Sequence, residues 1–372
     1  MSDAAPAMIG PLRKAKAADG AAFVGLVVAM FLLFWGGNLA GNGVLPLADG
    51  VSAGALPGWE SGSLMRVLAV WTASWAAPVL EQGTALVLVY ALAAGLAGIV
   101  AYRFLRVSDW PALQALLAVG LVASNGLMLY AVTTASDDLA LFVGVAALVP
   151  AMRRLESVGD VQSVINYGLA LPLLLMAGPP LAVLIVPLAL AVPLREPEAR
   201  SRPQVFAAMV LVGFIPTLII VAGVTAMAVR AGLGFDVLTA PFGAAFAPVW
   251  RPMLPSLLLM PAVASVGLLP ILHSLIPDRR RQVISSMGVV LLPVYLAIGR
   301  AFFDWQISAW APAGAMIVAV LAWLCASRIR AWMRWLALAL LLLSALASWA
   351  LAGAWSDPAW LDGLLPIQFY DF

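Results

Sequence analysis

Long apolar blocks of 14 to 25 residues follow one another along nearly the whole chain, separated by short polar segments. Blocks of this kind predict membrane-spanning helices, because about 20 apolar residues in a helix cross the hydrocarbon core of a bilayer. We predict spans at 21–35, 84–102, 111–132, 139–152, 164–177, 181–194, 205–229, 253–275, 283–299, 307–326 and 335–354. The predicted fold class is therefore an all-α, polytopic integral membrane protein with about eleven transmembrane helices.

Two stretches do not fit a plain pattern of spans. Residues 63–80 are apolar enough to cross, but a crossing there would move every later loop to the other side of the membrane. We therefore predict a helix lying on the outer surface, where Trp71 and Trp75, one turn apart, anchor it at the lipid headgroups. Residues 164–194 contain five prolines, which predict a short, broken hairpin buried among other helices.

Charged residues divide unevenly between the two sides that these spans define. With the N-terminus inside, the inner segments carry 16 of the 20 basic residues, while ten of the 18 acidic residues lie outside. The formal net charge of +2 thus separates into +8 inside and −6 outside. Because basic residues concentrate in cytoplasmic loops, we predict a plasma-membrane protein of the bacterial inner-membrane type, with its N-terminus in the cytoplasm and its C-terminus outside.

Composition excludes the soluble classes of protein. Of the 372 residues, 64% are hydrophobic and 10% are charged, with a mean hydropathy of +1.03, whereas soluble domains are about a quarter charged. The small net charge gives no indication of nucleic-acid binding. The single histidine, His273, lies at the end of a predicted span, so a histidine-based mechanism is not expected. We expect one integral membrane domain over residues 1–372.

Two adjacent carboxylates, Asp137 and Asp138, lie in the second outer loop, in the run "TTASDD". In one interpretation Ser136 or Asp137 caps the helix that follows, and Asp138 interacts favourably with its dipole. In the other, the pair binds a divalent cation, Mg or Mn, or positions a nucleophile. The residue types alone leave both interpretations open.

Further outer polar groups lie in the first outer loop, at 36–83, and at the ends of later spans. The loop contains the acidic candidates Asp49 and Glu60. The outer basic residues are Arg66, Arg230, Arg251 and Arg300. On a face with net negative charge, these cations are candidates to bind an anion such as a lipid phosphate. Alternatively they end helices or form ion pairs, as Arg300 could with Asp304 at i,i+4.

This arrangement resembles the GT-C superfamily, membrane glycosyltransferases that use polyprenyl-phosphate sugars and include protein mannosyltransferases and aminoarabinose transferases. One span precedes a large outer loop with an interfacial helix, and the acidic pair lies in the second outer loop. Residues 84–194 are similar to the family's second to sixth spans, in "LVYALAAGLAGIVAYRFLR", "ALLAVGLVASNGLMLYAVTTASDDLALFVGVAALVPAMRRLE" and "LALPLLLMAGPPLAVLIVPLAL". The resemblance implies a GT-C-like core at 84–194. Further transmembrane helices at 195–354 and a short outer tail at 355–372 are predicted to follow it.

The resemblance also implies a reaction, in which a sugar moves from a polyprenyl-phosphate donor to an acceptor on the outer, periplasmic face. Asp49, or failing that Glu60, would be the general base, and the outer arginines would stabilise the departing lipid phosphate. Asp137 and Asp138 would hold the divalent cation. The chain departs from the family pattern because Asp49 stands alone in "LPLADGVSAG", without a neighbouring acid.

Two other functions remain open. The tryptophan-rich outer rim suits a non-catalytic subunit that docks membrane protein partners as well as membrane lipids. The broken hairpin near Pro179 and Pro180 suits a transporter of a lipid-linked intermediate.

Overall fold

A computed structural model describes residues 62–76, 82–133, 136–157, 161–195, 201–230, 234–250, 265–274, 283–305 and 307–351. Within these ranges the chain is helical and contains no strand, apart from one isolated bridge between Pro248 and Phe303. The described part of the chain therefore confirms the predicted all-α class. Asp49, Glu60, Arg251 and the tail at 355–372 lie outside the described residues.

The helices follow one another with short connections. The first seven are α1 Leu64–Ala76, α2 Gln82–Val107, α3 Ala112–Ala123, α4 Gly126–Thr133, α5 Asp138–Ser157, α6 Val161–Ala170 and α7 Pro179–Ala182. The others are α8 Ile185–Arg195, α9 Pro203–Arg230, α10 Phe235–Ala245, α11 Leu268–Ser274, α12 Val283–Phe302, α13 Ala311–Cys325 and α14 Ala331–Ala350. Two 3₁₀ helices, Leu171–Ala177 and Ser265–Gly267, complete the described elements.

Three described helices are long and apolar enough to cross a membrane, at Ala85–Val107, Pro203–Arg230 and Ala331–Ala350. A fourth crossing results if Ala112–Ala123 and Gly126–Val132, which meet at an angle of 62°, form one bent span. The predicted total of about eleven spans is not confirmed. One physical reason is length: α13, with 15 residues, is about 22 Å long, whereas the hydrocarbon core is roughly 30 Å thick.

Both irregular stretches predicted from the sequence take helical form. The surface helix predicted over 63–80 corresponds to α1, on which Trp71 and Trp75 pack edge to face with centroids 5.0 Å apart. The hairpin predicted over 164–194 is broken. The 3₁₀ helix Leu171–Ala177 ends before Gly178, and the φ of 70° at Gly178 is one that glycine adopts readily and other residues rarely do. The proline-rich sequence thus interrupts the helix where expected.

Helices α5 and α13 pack side by side at the centre of the structure. Every residue of α13 is buried, from Ala311 to Cys325. Gly314 allows the close approach of the two helices, because a side chain at this position would meet the ring of Phe142 on α5. This helix pair holds polar groups at both of its ends.

The contacts at the two ends show that α5 and α13 run parallel. At one end the Asp138 carboxylate accepts a hydrogen bond from the Ser308 backbone N–H, just before α13. At the other end the Arg153 guanidinium lies over the ring of Trp323. Both contacts join residues that are 170 positions apart in sequence. The two helices therefore stay in the same alignment over the 15 residues between the contacts, or about 22 Å. We call these the Asp137 end and the Arg153 end.

Candidate functional site

The first turn of α1 brings Arg66 to the Asp137 end. The Ser63 hydroxyl donates a hydrogen bond to the Met176 carbonyl oxygen at 2.7 Å, which fixes the start of α1 against the 3₁₀ helix. The same hydroxyl accepts a hydrogen bond from the Arg66 backbone N–H at 3.4 Å, as a helix cap does. Arg66 is therefore placed by a cap that is itself tied to the middle of the chain.

Asp137 comes from the loop that precedes α5. Its carbonyl oxygen accepts the first helical hydrogen bond, from the Leu141 N–H at 3.2 Å. The Ser136 hydroxyl accepts from the Asp138 N–H at 3.2 Å, which holds the loop at the start of α5. The Asp137 Oδ2 faces the Arg66 Nη1.

Arg66 and Asp137 form an ion pair between residues 71 positions apart. The Arg66 Nη1 and the Asp137 Oδ2 are 3.5 Å apart, while the side chains are 21% and 10% exposed. Hydrogen bonds between guanidinium and carboxylate groups usually measure about 2.7–2.9 Å, so this pair is loose. The guanidinium thus has donor capacity beyond its contact with Asp137.

Asp138 has a different environment from its neighbour. It is 3% exposed, and its Oδ1 accepts from the Ser308 N–H at 3.1 Å. Ser308 holds the turn that leads into α13, because its hydroxyl accepts from the backbone N–H groups of Trp310 and Ala311 at 3.3 and 3.1 Å. Asp138 therefore joins the starts of the two central helices.

Burial raises the pKa of the Asp138 carboxyl, and the hydrogen bonds from Ser308 offset only part of this effect. The nearby charge of Asp137 acts in the same direction as burial. The pKa of Asp138 is consequently higher in the folded protein than in water.

The predicted divalent cation remains a prediction. Among the described residues, no group of three or more His, Cys, Asp or Glu side chains could hold a metal ion. The two carboxylates also have different partners, since Asp137 faces a cation and Asp138 a backbone N–H. Any bound cation at Asp137 would have to compete with the Arg66 guanidinium.

Tyr90 on α2 is a buried polar group that hydropathy and charge did not predict as a candidate. It is fully buried on α2, the helix that follows α1. Among the described residues, neither the Tyr90 hydroxyl nor the Arg66 Nε has a hydrogen-bond partner. The sequence does show a tyrosine hydroxyl within an apolar helix, but a hydropathy pattern counts the tyrosine as part of the span and gives no weight to its hydroxyl.

The other outer arginines within the described residues lie apart from this pair. Arg300 on α12 is half-buried, and its Nε donates to the Ile307 carbonyl oxygen at 3.3 Å, next to Ser308. Arg230 is exposed as the last residue of α9. Of the predicted site residues, the structure therefore unites Arg66, Asp137 and Asp138, with Arg300 beside the loop that Asp138 contacts.

The Arg153 end holds its cation in a different way. Arg153 is 2% exposed, and its Cζ lies 5.6 Å from the centroid of the Trp323 ring. The buried ring of His273 meets the same indole at 5.1 Å, nearly perpendicular to it. This cluster of buried rings and a cation suits a structural role.

Comparison with known proteins gives no family for this chain. No family model, no characterised protein and no solved structure matches it. Over the residues that the structure describes, the fold is all-helical, with three or four helices apolar enough to cross a bilayer. The contacts at the Asp137 end are therefore the main indication of function in this chain.

Proposed function

We propose that the protein is a GT-C-like membrane glycosyltransferase, which moves a sugar from a polyprenyl-phosphate donor to an acceptor on the outer face of the membrane. One observation carries the proposal. Arg66 and Asp137, predicted in two separate outer segments, meet at 3.5 Å. A partly exposed arginine with unused donor capacity suits the binding of a phosphate group.

The position of Arg66 on α1 also supports a lipid-linked donor. Trp71 and Trp75 on the same helix are 58% and 72% exposed, and indole rings favour the level of the lipid headgroups. Arg66 precedes Trp71 by five residues, or about 7.5 Å along the helix axis. A helix held at the membrane surface by these rings would keep the guanidinium near the depth of a lipid phosphate.

The proposed step is a substitution at the anomeric carbon of the sugar. The acceptor oxygen forms the new bond to this carbon while the bond between the carbon and the phosphate oxygen breaks. The electron pair of the broken bond remains on the lipid phosphate, whose negative charge Arg66 stabilises. The acceptor proton passes to a general base, for which Asp49 and Glu60 are the candidates.

Asp137 and Asp138 have separate tasks in this proposal. Asp137 orients the Arg66 guanidinium through its charge, and it could hold a divalent cation only in competition with Arg66. Asp138 fixes the loop by its contact with Ser308. Arg230, Arg251 and Arg300 are further candidates to contact the donor.

A second candidate function is a non-catalytic subunit of a membrane assembly. The large exposed area of the outer tryptophans favours it, since Trp75 and Trp250 are 72% and 79% exposed. Tryptophan is common where one protein surface binds another. Copurification of a partner in fixed stoichiometry, combined with full function of the Asp49→Asn variant, would favour this candidate.

The proposal is tested with purified protein in lipid vesicles that contain polyprenyl-phosphate sugars labelled in the sugar. We expect the wild-type protein to release or transfer the label, and the Asp49→Asn variant to lose this activity. A matched Glu60→Gln variant identifies which of the two acids is the base. No turnover with any of the donors would contradict the proposal.

A further inference from the structure

Three arginines from separate parts of the chain meet at the loop between α2 and α3. The Arg106 Nη1 donates to the Trp110 carbonyl oxygen at 2.7 Å, and the Arg334 Nη1 donates to the Asp109 carbonyl oxygen at 2.6 Å. The Arg328 Nε lies 3.6 Å from the Asp109 Oδ2. Because Arg334 and Asp109 are 225 positions apart in sequence, folding, and not a run of basic sequence, brings these cations together.

The loop is held in place by its own contacts. Asp109 has a φ of 65°, in the left-handed region that residues with a side chain rarely adopt. The Ser108 hydroxyl donates to the carbonyl oxygen of Cys325, the last residue of α13, and the Trp110 side chain is buried. The loop therefore lies at the Arg153 end, and its two carbonyl oxygens hold the bonded guanidinium groups in position.

The positive charge at this loop exceeds the charge of its one carboxylate. Asp109 pairs with Arg328, whereas neither Arg106 nor Arg334 forms an ion pair among the described residues. Each of these two arginines bonds to an uncharged carbonyl oxygen through one nitrogen, and a guanidinium has several N–H donors. Arg106 is exposed and Arg334 is half-buried, so both are available to an anion.

Exposed tryptophans adjoin one of these cations. Trp332 and Trp335 lie on either side of Arg334 in the first turns of α14, and they are 56% and 59% exposed. Indole rings favour the level of the lipid headgroups. Basic residues alone are common at the inner ends of spans, but cations fixed by backbone oxygens beside exposed indoles match a phospholipid headgroup more closely.

Exposed apolar side chains continue along the helices from this end. Leu113 and Leu117 on α3 are exposed one turn apart. Helices α3 and α14 run parallel, since Arg334 bonds just before the start of α3 and the Trp349 Nε1 donates to the Ser124 carbonyl oxygen at its end. The two helices therefore offer apolar surface to acyl chains whose headgroup lies at the cations.

We propose that Arg106, Arg334, Trp332 and Trp335, which we call the Arg334 patch, bind the headgroup of an anionic phospholipid such as phosphatidylglycerol. The two guanidinium groups donate to the phosphate oxygens, while the indole rings lie at the level of the headgroup. The patch is on the side predicted to face the cytoplasm. It is separate from the Asp137 end, and the inference is independent of the proposed function.

The first experiment measures equilibrium binding of phosphatidylglycerol to the purified full chain in a neutral detergent. Phosphatidylcholine, which has no net charge, and glycerol phosphate, which has no acyl chains, serve as comparisons. We expect phosphatidylglycerol to bind at least about tenfold more tightly than either of them. Equal binding of phosphatidylcholine would show that the negative charge is not recognised, and equal binding of glycerol phosphate would show that a free anion suffices. Either result would overturn the inference.

The second experiment repeats the titration with substitutions of single arginines. Arg334→Gln should weaken binding of phosphatidylglycerol by about fivefold or more, because one cation near the headgroup is lost. Arg334→Lys keeps the charge and should retain most of the affinity. Arg202→Gln removes an exposed cation on the same predicted side, at the start of α9, and should bind like the wild-type protein. Equal losses for the two glutamine variants, or no loss for Arg334→Gln, would overturn the inference.

A variant of the tryptophans keeps the test decisive if Arg334→Gln disturbs the fold. Trp332→Leu combined with Trp335→Leu changes two exposed side chains, so the unfolding midpoint without lipid should stay the same. Binding of phosphatidylglycerol should weaken by about threefold, since the indoles no longer lie at the headgroup. Wild-type affinity in this double variant would overturn the inference. Sugar transfer is not measured in any of these titrations, so failure of the proposed function is a separate result.

Discussion

Two arginine–aspartate pairs of almost the same length lie at opposite ends of the α5–α13 helix pair. Arg66 and Asp137 are 3.5 Å apart with side chains 21% and 10% exposed, while Arg328 and Asp109 are 3.6 Å apart with side chains 75% and 76% exposed. Water screens the second pair and weakens its interaction. The comparison shows that burial, rather than the presence of an ion pair, distinguishes the candidate site.

The two ends also differ in what their arginines contact. At the Arg153 end, the buried cation packs on Trp323, which His273 contacts in turn. At the Asp137 end, the partly exposed Arg66 faces the Asp137 carboxylate. We infer that the Arg153 end stabilises the fold, whereas the partly exposed Arg66 is the group that the proposed function uses.

The largest expected effect is on stability, at the Arg153 end. Trp323→Ala removes a fully buried indole together with its contacts to Arg153 and His273. We expect the free energy of unfolding to fall by about 3–5 kcal/mol, as for other buried tryptophans. Denaturant titration in detergent measures this loss. A decrease below about 1 kcal/mol would show that the Arg153 end is not a structural cluster.

The next effect is on activity, at the Asp137 end. Asp137→Asn removes the charge that orients Arg66, and we expect sugar transfer to slow by about tenfold, the equivalent of one charge-assisted hydrogen bond. Asp137→Glu keeps the charge and should restore part of the rate. Initial rates at several donor concentrations measure both variants. If Asp137→Asn and Asp137→Glu act alike, the charge is not what matters.

A smaller effect is expected in the pH dependence of stability. Because burial raises the pKa of Asp138 above its value in the unfolded chain, the native state binds this proton more tightly. Its contribution to stability is complete below the unfolded pKa and is lost as the pH rises through the native pKa. The Asp138→Asn variant keeps an oxygen that accepts from the Ser308 N–H, but its side chain does not bind or release a proton.

Unfolding midpoints of the wild-type protein and Asp138→Asn, measured over a pH series, test this expectation. The wild-type protein should lose stability relative to the variant as the pH increases. A gain relative to the variant would mean that the interior favours the charged carboxylate, against the pKa direction that we infer.

The smallest effect is expected for the exposed ion pair. Asp109→Asn should change the free energy of unfolding by less than about 1 kcal/mol, because exposed pairs contribute little. Sugar transfer should continue at the wild-type rate. A loss of activity comparable with that of Asp137→Asn would remove the distinction between the two pairs.

The sequence predicted much of the helical framework, because apolar length determines where helices form in a membrane protein. A helix around Trp71 and a break near Gly178 were both expected and are both observed. The number of spans could not be confirmed, since several described helices are short or bent.

The candidate site was predictable only in part. Charge sorting selected Arg66 and Asp137, but their contact joins residues 71 positions apart and depends on packing that local patterns do not encode. Tyr90 was missed because hydropathy gives no weight to a hydroxyl inside a span. Ser308 carried a readable signal, as a serine shortly before Pro312 at the start of a helix suits the turn that leads into it.

The central claim is that the Asp137 end binds the phosphate of a sugar donor, and one paired measurement tests it most directly. Arg66→Ala and Arg328→Ala are compared with the wild-type protein for release of labelled sugar from polyprenyl-phosphate donors in lipid vesicles. We predict a loss of about a hundredfold for Arg66→Ala, from the removal of a charge that stabilises the leaving group, and no change for Arg328→Ala. Equal rates for the two variants would contradict the claim.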